Sequence, residues 1–370
     1  MKVVFRADAS VKMGSGHVMR CLTLAGALKE NGADVIFISR AHDGNLNQLI
    51  IRKGFQVIEL PKPTGADIGE ASTNGDDYND WLGIAEEQDA KETIEAIGGE
   101  RVDWLVADHY SIGEKWEKSI RPYVINIMAV DDLANRNHDC DLLLDQNLVA
   151  DMEKRYEGKL PANCGRMLGP EYALLKPEYS KLRNEVSPRE GQIRSVLVYF
   201  GGADSDNLTG MAIDAFHSLK RNDVQLDVII NPQGPYATEI RMQVEGNSQI
   251  KLHGSLPSLA PLLAKADLAI GAGGATSWER CCLGLPTLVI TLAENQKPSA
   301  AELDRLKLVL WLGHKDEVSE AALEKALKEL LDSELSPEWS ERCRKQVDGR
   351  GTEKACHALI KTIKYSSTSH

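Results

Sequence analysis

Short apolar runs alternate with longer stretches in which apolar residues recur at every third or fourth position, and this rhythm persists over most of the chain. The runs predict strands at 2–6, 34–39, 56–60, 103–107, 124–130 and 141–144; the periodic stretches predict helices at 16–31, 46–53, 81–97 and 114–120. Strands separated by crossover-length helices predict a parallel α/β sheet covered on both faces. Polar residues then crowd into 179–193, including Glu185, Pro188, Arg189, Glu190 and Gly191, and a domain boundary is expected there. The rhythm restarts with strands predicted at 195–200, 225–231, 249–253, 268–270 and 286–291 and helices at 207–221, 236–244, 259–266, 276–283, 298–308, 319–331 and 338–347. The expected division is a first α/β domain over 1–185, a second over 193–345, and a C-terminal helix and tail over 346–370. Residues 61–79, rich in Pro, Gly, Asp, Ser and Thr, predict a loop long enough to form a lid, and 365–370 a fraying tail.

In parallel sheets of this kind ligands bind beyond the C-terminal ends of the strands. The first strand leads through Arg6, Asp8 and Ser10 into Met13-Gly14-Ser15-Gly16-His17. Val18, Cys21, Leu22, Ala25 and Leu28 then share one helix face, so His17 falls on the first turn. The positive end of a helix favours anions and disfavours a protonated imidazole, which leaves a ring able to accept a proton. Gly14 and Gly16 let a ligand approach the backbone, although a plain strand–helix turn capped by a histidine has the same pattern. Met19 stands where a dinucleotide fingerprint has its third glycine, and the loop is not a Walker A sequence.

In the second half, the strand at 268–270 enters Gly271-Ala272-Gly273-Gly274-Ala275-Thr276-Ser277 and a helix closed by Gly284-Leu285-Pro286. Backbone N–H groups in such a turn can hold a diphosphate without a metal. Glu279, one turn on, can accept both hydroxyls of a ribose or merely offset the helix dipole. Gly201-Gly202 and Leu292-Ala293-Glu294-Asn295-Gln296 also follow predicted strands. Glycine loops at strand ends in both domains predict a site in a cleft between them.

A chain of 370 residues, 42% of them hydrophobic, can build two cores. A formal net charge of −12 without a long basic run argues against nucleic acid or a membrane surface as partner. No apolar stretch approaches a membrane span and the first residues do not read as a signal peptide, so a cytoplasmic protein is expected, favoured as a monomer. Seven cysteines without a C-x-x-C pair predict reduced, packed thiols. Asp139-Cys140-Asp141 has the D-x-D spacing of metal-dependent transferases, but Asp141 opens an apolar strand and no ligand set gathers round it; neither metal nor other cofactor is expected. His109 and Tyr110 follow a predicted strand, where a site role and a structural one are both open. Asp131 and Asp132 can orient His17, bind sugar hydroxyls or cap a helix, while Trp81, Trp104, Trp116 and Trp311 read as core.

The 271–286 segment, with Leu252-His253-Gly254-Ser255-Leu256 before it and Asn295-Gln296 after it, resembles the nucleotide-binding half of GT-B glycosyltransferases of the MurG type. Arg6-Ala7-Asp8 with Gly14-Ser15-Gly16-His17, Val106-Ala107-Asp108-His109-Tyr110, Val130-Asp131-Asp132-Leu133-Ala134, Leu143-Leu144-Asp145-Gln146-Asn147 and Leu168-Gly169-Pro170-Glu171-Tyr172-Ala173-Leu174-Leu175 resemble a second, narrower group. These motifs are similar to those of the PseG family, the UDP-2,4-diacetamido-2,4,6-trideoxy-β-L-altropyranose hydrolases of pseudaminic acid synthesis; related spore-coat polysaccharide proteins share many of them. The resemblance spans most of the chain and implies a GT-B fold, two Rossmann-like parallel-sheet domains. It also implies metal-independent hydrolysis of a UDP-sugar by water, with C1–O cleavage and inversion. By position it implies His17 as the base for water, with Tyr110 and Asn295 lining the sugar site. Ser255 and Leu256 would meet the uracil, Glu279 the ribose, and Ala275, Thr276 and Ser277 the diphosphate. Arg6, Asp8, Gly14, Ser15, Gly16, Asp132, Gly201, Gly202, Gly274 and Gln296 complete the expected substrate contacts. The rival readings are a GT-B transferase using a UDP-sugar donor, a hydrolysing UDP-sugar 2-epimerase and a non-catalytic sugar-nucleotide sensor.

Overall fold

A computed structural model describes residues 1–63 and 78–367, so most of the expected lid at 61–79 and half of the tail at 365–370 lie outside the described residues. The chain divides into two compact units, one of Met1–Asn147, Asp151–Leu174 and Arg350–His370, the other of Leu148–Ala150 and Leu175–Gly349. The division therefore falls at Leu175, ahead of the polar segment where it was expected, and the C-terminal residues return to the first unit.

The first unit holds β1 (Lys2–Ala7), β2 (Asp34–Arg40), β3 (Gln56–Leu60), β4 (Val102–Asp108), β5 (Val124–Val130), β6 (Leu142–Asp145) and β7 (Gly165–Leu168). They form one sheet in the order β3-β2-β1-β4-β5-β6-β7, with every pair parallel. Val3, Val4, Phe5 and Ala7 are all buried, as a strand covered on both faces requires. The crossovers include α1 (Gly16–Glu30), α2 (Asn47–Arg52), α3 (Glu86–Ile97) and α4 (Glu114–Ile120). The apolar stripe of α1 buries Val18, Cys21, Leu22, Leu24, Ala25 and Leu28 against this sheet. Strand order reverses between β1 and β4, so the loops after these two strands flank the switch point where ligands bind in such sheets.

The second unit opens with α5 (Pro177–Glu185), inside the segment that reads as a polar linker. Pro177 starts it and Tyr179 is its one buried residue, so little apolar periodicity betrays it. The ribbon strand β8 (Gly191–Gln192) precedes β9 (Ser195–Tyr199), β10 (Gln225–Ile229), β11 (Ile250–His253), β12 (Leu268–Ala272), β13 (Thr287–Thr291) and β14 (Leu310–His314). These last six form a parallel sheet ordered β11-β10-β9-β12-β13-β14, and β15 (Glu334–Leu335) pairs antiparallel with β8. Its helices are α6 (Leu208–Ser218), α7 (Ala237–Val244), α8 (Ala260–Lys265), α9 (Thr276–Cys282), α10 (Lys297–Arg305), α11 (Glu320–Leu331) and α12 (Pro337–Gln346). Here the order reverses between β9 and β12, which places the 200–204 and 271–277 loops at the switch point.

The final helix, α13 (Gly351–Ser367), packs back on α1. Ala355, Cys356 and Leu359 are buried there, and Trp104 Nε1 donates to the carbonyl of Leu359 at 3.0 Å. Burying Leu359 contributes about 1.5–3 kcal/mol to holding the helix on the first unit.

Candidate active site

The loop after β1 is folded by Ser10, whose carbonyl accepts from Gly14 N at 2.9 Å and whose hydroxyl accepts from Met13 N at 3.0 Å. Gly14 takes φ +74°, a conformation that suits glycine. The turn delivers His17, 5% exposed, to the first turn of α1. His17 Nδ1 lies 2.6 Å from Oδ1 of Asp108, the last residue of β4. Asp108 is fully buried and gripped by Arg20, which donates from Nε to Oδ2 at 2.6 Å and from Nη2 to Oδ1 at 2.7 Å. Arg20 follows His17 by three positions and so shares its side of the helix. Burial opposes ionisation of Asp108, but the charge of Arg20 and the hydrogen bonds from Arg20 and His17 outweigh it and hold the carboxyl well below the usual range. A carboxylate fixed in this way accepts from Nδ1–H, leaving Nε2 of His17 as the proton acceptor.

Arg20 also donates from Nη1 to Asp132 Oδ2 at 2.6 Å, and the Tyr110 hydroxyl donates to the same oxygen at 2.9 Å. Burial, reinforced by the charge of Asp132, keeps the Tyr110 phenol far above its ordinary pKa and therefore a donor. The Tyr110 ring meets His17 edge-on with centroids 4.5 Å apart, and Trp81 stacks on Tyr110 at 5.3 Å. His17, Tyr110 and Asp132, all expected site residues, are thus one constellation.

Arg6 and Asp8 lie beneath it with fully buried side chains. Arg6 pairs with Asp8 at 2.6 Å and with Asp89 at 2.6 and 3.1 Å, and Asp8 Oδ2 faces Nε2 of His42 at 3.5 Å and of His109 at 3.6 Å. His109 accepts from Ser111 N, and burial pushes its pKa down to about 3, so it is a neutral internal ring. Asp131 accepts from Leu133 N and Ala134 N and pairs with Arg136, which makes it the anchor of its own loop. The D-x-D carboxylates Asp139 and Asp141 are both bound by Arg121. Of the tryptophans read as core, Trp104 and Trp116 are buried, whereas Trp311 is half-buried and Trp81 borders His17. Asp108, Arg20 and Trp81 were not singled out for this site. The available signals were a carboxylate beside His109-Tyr110 at a strand end and an arginine one helical turn beyond His17.

In the second unit, β12 runs so close to β9 at Gly271 that a Cβ there would lie 2.5 Å from the carbonyl oxygen of Tyr199; only glycine fits. Gln296 accepts from Leu292 N at 2.9 Å and lies against Gly273 and Gly274, so the 271–277 and 292–296 loops meet. Asn295 sits in that same turn, Glu294–Gln296. Glu279 is enclosed beside Tyr179; its Oε2 is buried without a hydrogen-bond partner among the described residues, and burial pushes the carboxyl up to about 7. Ser255 and Leu256 are exposed after β11. Gly201 and Gly202 line a pocket with Asp204, Asn231 and Tyr236 at the ends of β9 and β10.

Residues 195–353 match the glycosyltransferase family 28 C-terminal domain. The whole chain has the GT-B fold: it is similar to the crystal structure of Acinetobacter baumannii MurG, with a TM-score of 0.65 and 14% identity over 97% of this chain and 99% of that one. Among curated proteins it is 26% identical over 304 residues to an uncharacterised protein of Methanocaldococcus jannaschii, covering 80% of this chain. The match spans 57% of that relative's length. It is 25% identical over 304 residues to the UDP-2,4-diacetamido-2,4,6-trideoxy-β-L-altropyranose hydrolase of Campylobacter jejuni, covering 82% of this chain and 96% of that one.

Proposed function

We propose that this protein hydrolyses a UDP-linked 2,4-diacetamido-2,4,6-trideoxy sugar to UDP and free sugar, without a metal, with His17 as general base. The observation that carries the reading is the His17–Asp108 contact of 2.6 Å, with Asp108 fixed by Arg20 and Nε2 left to take a proton from water. Water attacks C1 on the face opposite the departing UDP, so C1–O cleaves with inversion. Asp108 stabilises the imidazolium as it forms, a contribution of the kind worth about 10²–10⁴ in rate. The hydroxyl of Tyr110 and the carboxylate of Asp132 are the polar groups offered to the sugar on this unit. Departure of UDP builds charge on the diphosphate, which falls to the N–H groups of Gly274, Ala275 and Thr276 and to Ser277, whose own N–H is taken by the carbonyl of Gly274, with Asn295 and Gln296 alongside. Glu279, with one oxygen unsatisfied, receives the ribose, and Ser255 and Leu256 the uracil.

The synthesis of pseudaminic acid, a cytoplasmic setting and a monomeric enzyme belong to the same reading. The test is incubation of the purified protein with the UDP-sugar alone, following UDP release and the anomer formed. Release of the inverted free sugar without acceptor is the expected result. The family 28 match favours one second reading, transfer of the sugar to an acceptor. UDP release that requires an acceptor would select it, and a product altered at C2 would select the epimerase reaction.

A further inference from the structure

Two arginines of the second unit are buried without an ion pair among the described residues, and they differ in what surrounds them. Arg189, 6% exposed, donates to the carbonyls of Leu263, Ala264, Ala266 and Leu283. These are the last turn and cap of α8 and the cap of α9, the negative ends of helices, so its charge is answered inside the fold. Arg280, 3% exposed, leans back towards the start of α9. It donates from Nη2 to the carbonyl of Ala272 at 2.6 Å and to Ser277 Oγ at 3.0 Å, and from Nη1 to Thr276 Oγ1 at 3.1 Å. All three acceptors are neutral oxygens, Nε is buried with no partner among the described residues, and the carboxylate acting on the guanidinium, that of the neighbouring Glu279, is itself held towards its neutral form by burial. The surrounding loop adds positive partial charge from its N–H groups instead of offsetting the cation. A buried cation left this way is costly, and burial draws the pKa of Arg280, like that of Arg189, down to about 10; the two differ in the groups around them.

We propose that Arg280 is a positioning residue for the phosphates of the bound nucleotide: the 272–277 backbone wraps its guanidinium, and the missing counter-charge is the diphosphate seated on the outer side of that loop. The inference rests on the nucleotide reading given above and adds to it the ligand's charge. Arg280 lies behind Ala272, Thr276 and Ser277, which it bonds, and acts on the ligand through its charge; the ligand meets the loop and not the guanidinium. The anion that restores neutrality is a diphosphate, so affinity should depend on the phosphates far more than on the nucleoside.

The experiment compares UDP with uridine by calorimetry or competition on the full chain, as wild type, Arg280→Met and Arg280→Lys. Arg280→Met should weaken UDP by about tenfold or more, as loss of a charge-assisted interaction does, and change uridine by less than about twofold. Arg280→Lys keeps the charge but not the fork of hydrogen bonds, and should hold UDP within about threefold of wild type. A structural prop of the phosphate loop would also spare uridine, but Lys would then behave like Met; that result, or equal losses of UDP and uridine, overturns the inference. Should Arg280→Met fail to fold, the Lys variant and the UDP-to-uridine ratio decide by themselves. A wild-type protein that binds neither ligand sinks the nucleotide reading and this inference with it. Wild-type binding followed by proportional losses sinks the inference alone.

Discussion

His17 Nδ1 and Asp108 Oδ1 stand 2.6 Å apart, one at the start of α1 and the other at the end of β4. The carboxylate can only accept, so it selects the Nδ1–H tautomer. Asp108→Asn lets an amide N–H face the ring instead and makes the wrong tautomer available. The expected loss is about 10²–10⁴ in kcat on the UDP-sugar, matching His17→Ala, with UDP affinity kept within about twofold. Steady-state kinetics and UDP titration check it, and an Asp108→Asn enzyme with wild-type kcat would remove His17 from the role of base.

Glu279 carries a pH dependence of definite sign. Burial raises its carboxyl to about 7, above the unfolded value, so its favourable contribution is complete below the unfolded pKa and is lost as pH rises through 7. The ligand-free Glu279→Gln variant should therefore match wild type near pH 4.5 and exceed it at pH 8 by on the order of 3 kcal/mol, read from urea titrations. Ribose binding uses the ionised form, so UDP affinity should rise between pH 5 and pH 8 in wild type and stay level in the variant. A flat wild-type profile would place the ribose elsewhere.

Gly271, in β12, and Gly274, in the loop that follows it, should respond differently to a methyl group. At Gly271 a Cβ would press on the Tyr199 carbonyl at 2.5 Å and on Arg280 Nη1 at 2.9 Å, while at Gly274 its nearest neighbour is the amide end of Gln296 at 3.6 Å. Gly271→Ala should cost about 1–3 kcal/mol of stability, and Gly274→Ala a few tenths. Paired urea titrations check the contrast. UDP affinity of Gly274→Ala then reports whether the ligand approaches the backbone there.

What was legible in the sequence follows from how local each feature is. β5 has the predicted limits because an apolar run bounded by polar turns defines a buried strand without outside help, and β3 matches as well although it is an edge strand with only Leu60 buried. β7 and β14 were not predicted: both are edge strands, short, and interrupted by Arg166 in one and Gly313 in the other. The return of α13 to the first unit depends on Trp104 meeting Leu359, a contact with no sequence signature. In the candidate site, the Gly14–Gly16 turn points to His17 because glycines and a helix start are local signals. Asp108 and Arg20 become meaningful only when β1 and β4 lie side by side, which sequence order conceals. Arg6 and Asp8 show the reverse: charged residues beside a glycine loop look like ligand contacts, yet Asp89, on α3, binds one of them inside the unit.

His138 provides a final test on the loop that leads from Asp132 to β6. Its Nδ1 lies 2.7 Å from Glu117 Oε1 and its Nε2 lies 3.7 Å from Asp131 Oδ2, with the ring almost wholly enclosed. Burial by itself would depress the imidazole, but Asp131 and Glu117 outweigh it and raise the pKa to about 9. A histidine raised above its unfolded value stabilises fully below the unfolded pKa, near 6.5, and loses that contribution as pH climbs through 9. His138→Gln should therefore lie furthest below wild type at pH 6, and the gap should shrink by on the order of 3 kcal/mol by pH 9.5. The opposite trend, a gap that widens with pH, would mean that the ring is neutral and that the two buried carboxylates are held apart by Arg136 and the backbone instead. Urea titrations of both proteins across that range separate the two cases, because only a protonated His138 ties the stability of the 131–141 loop to pH.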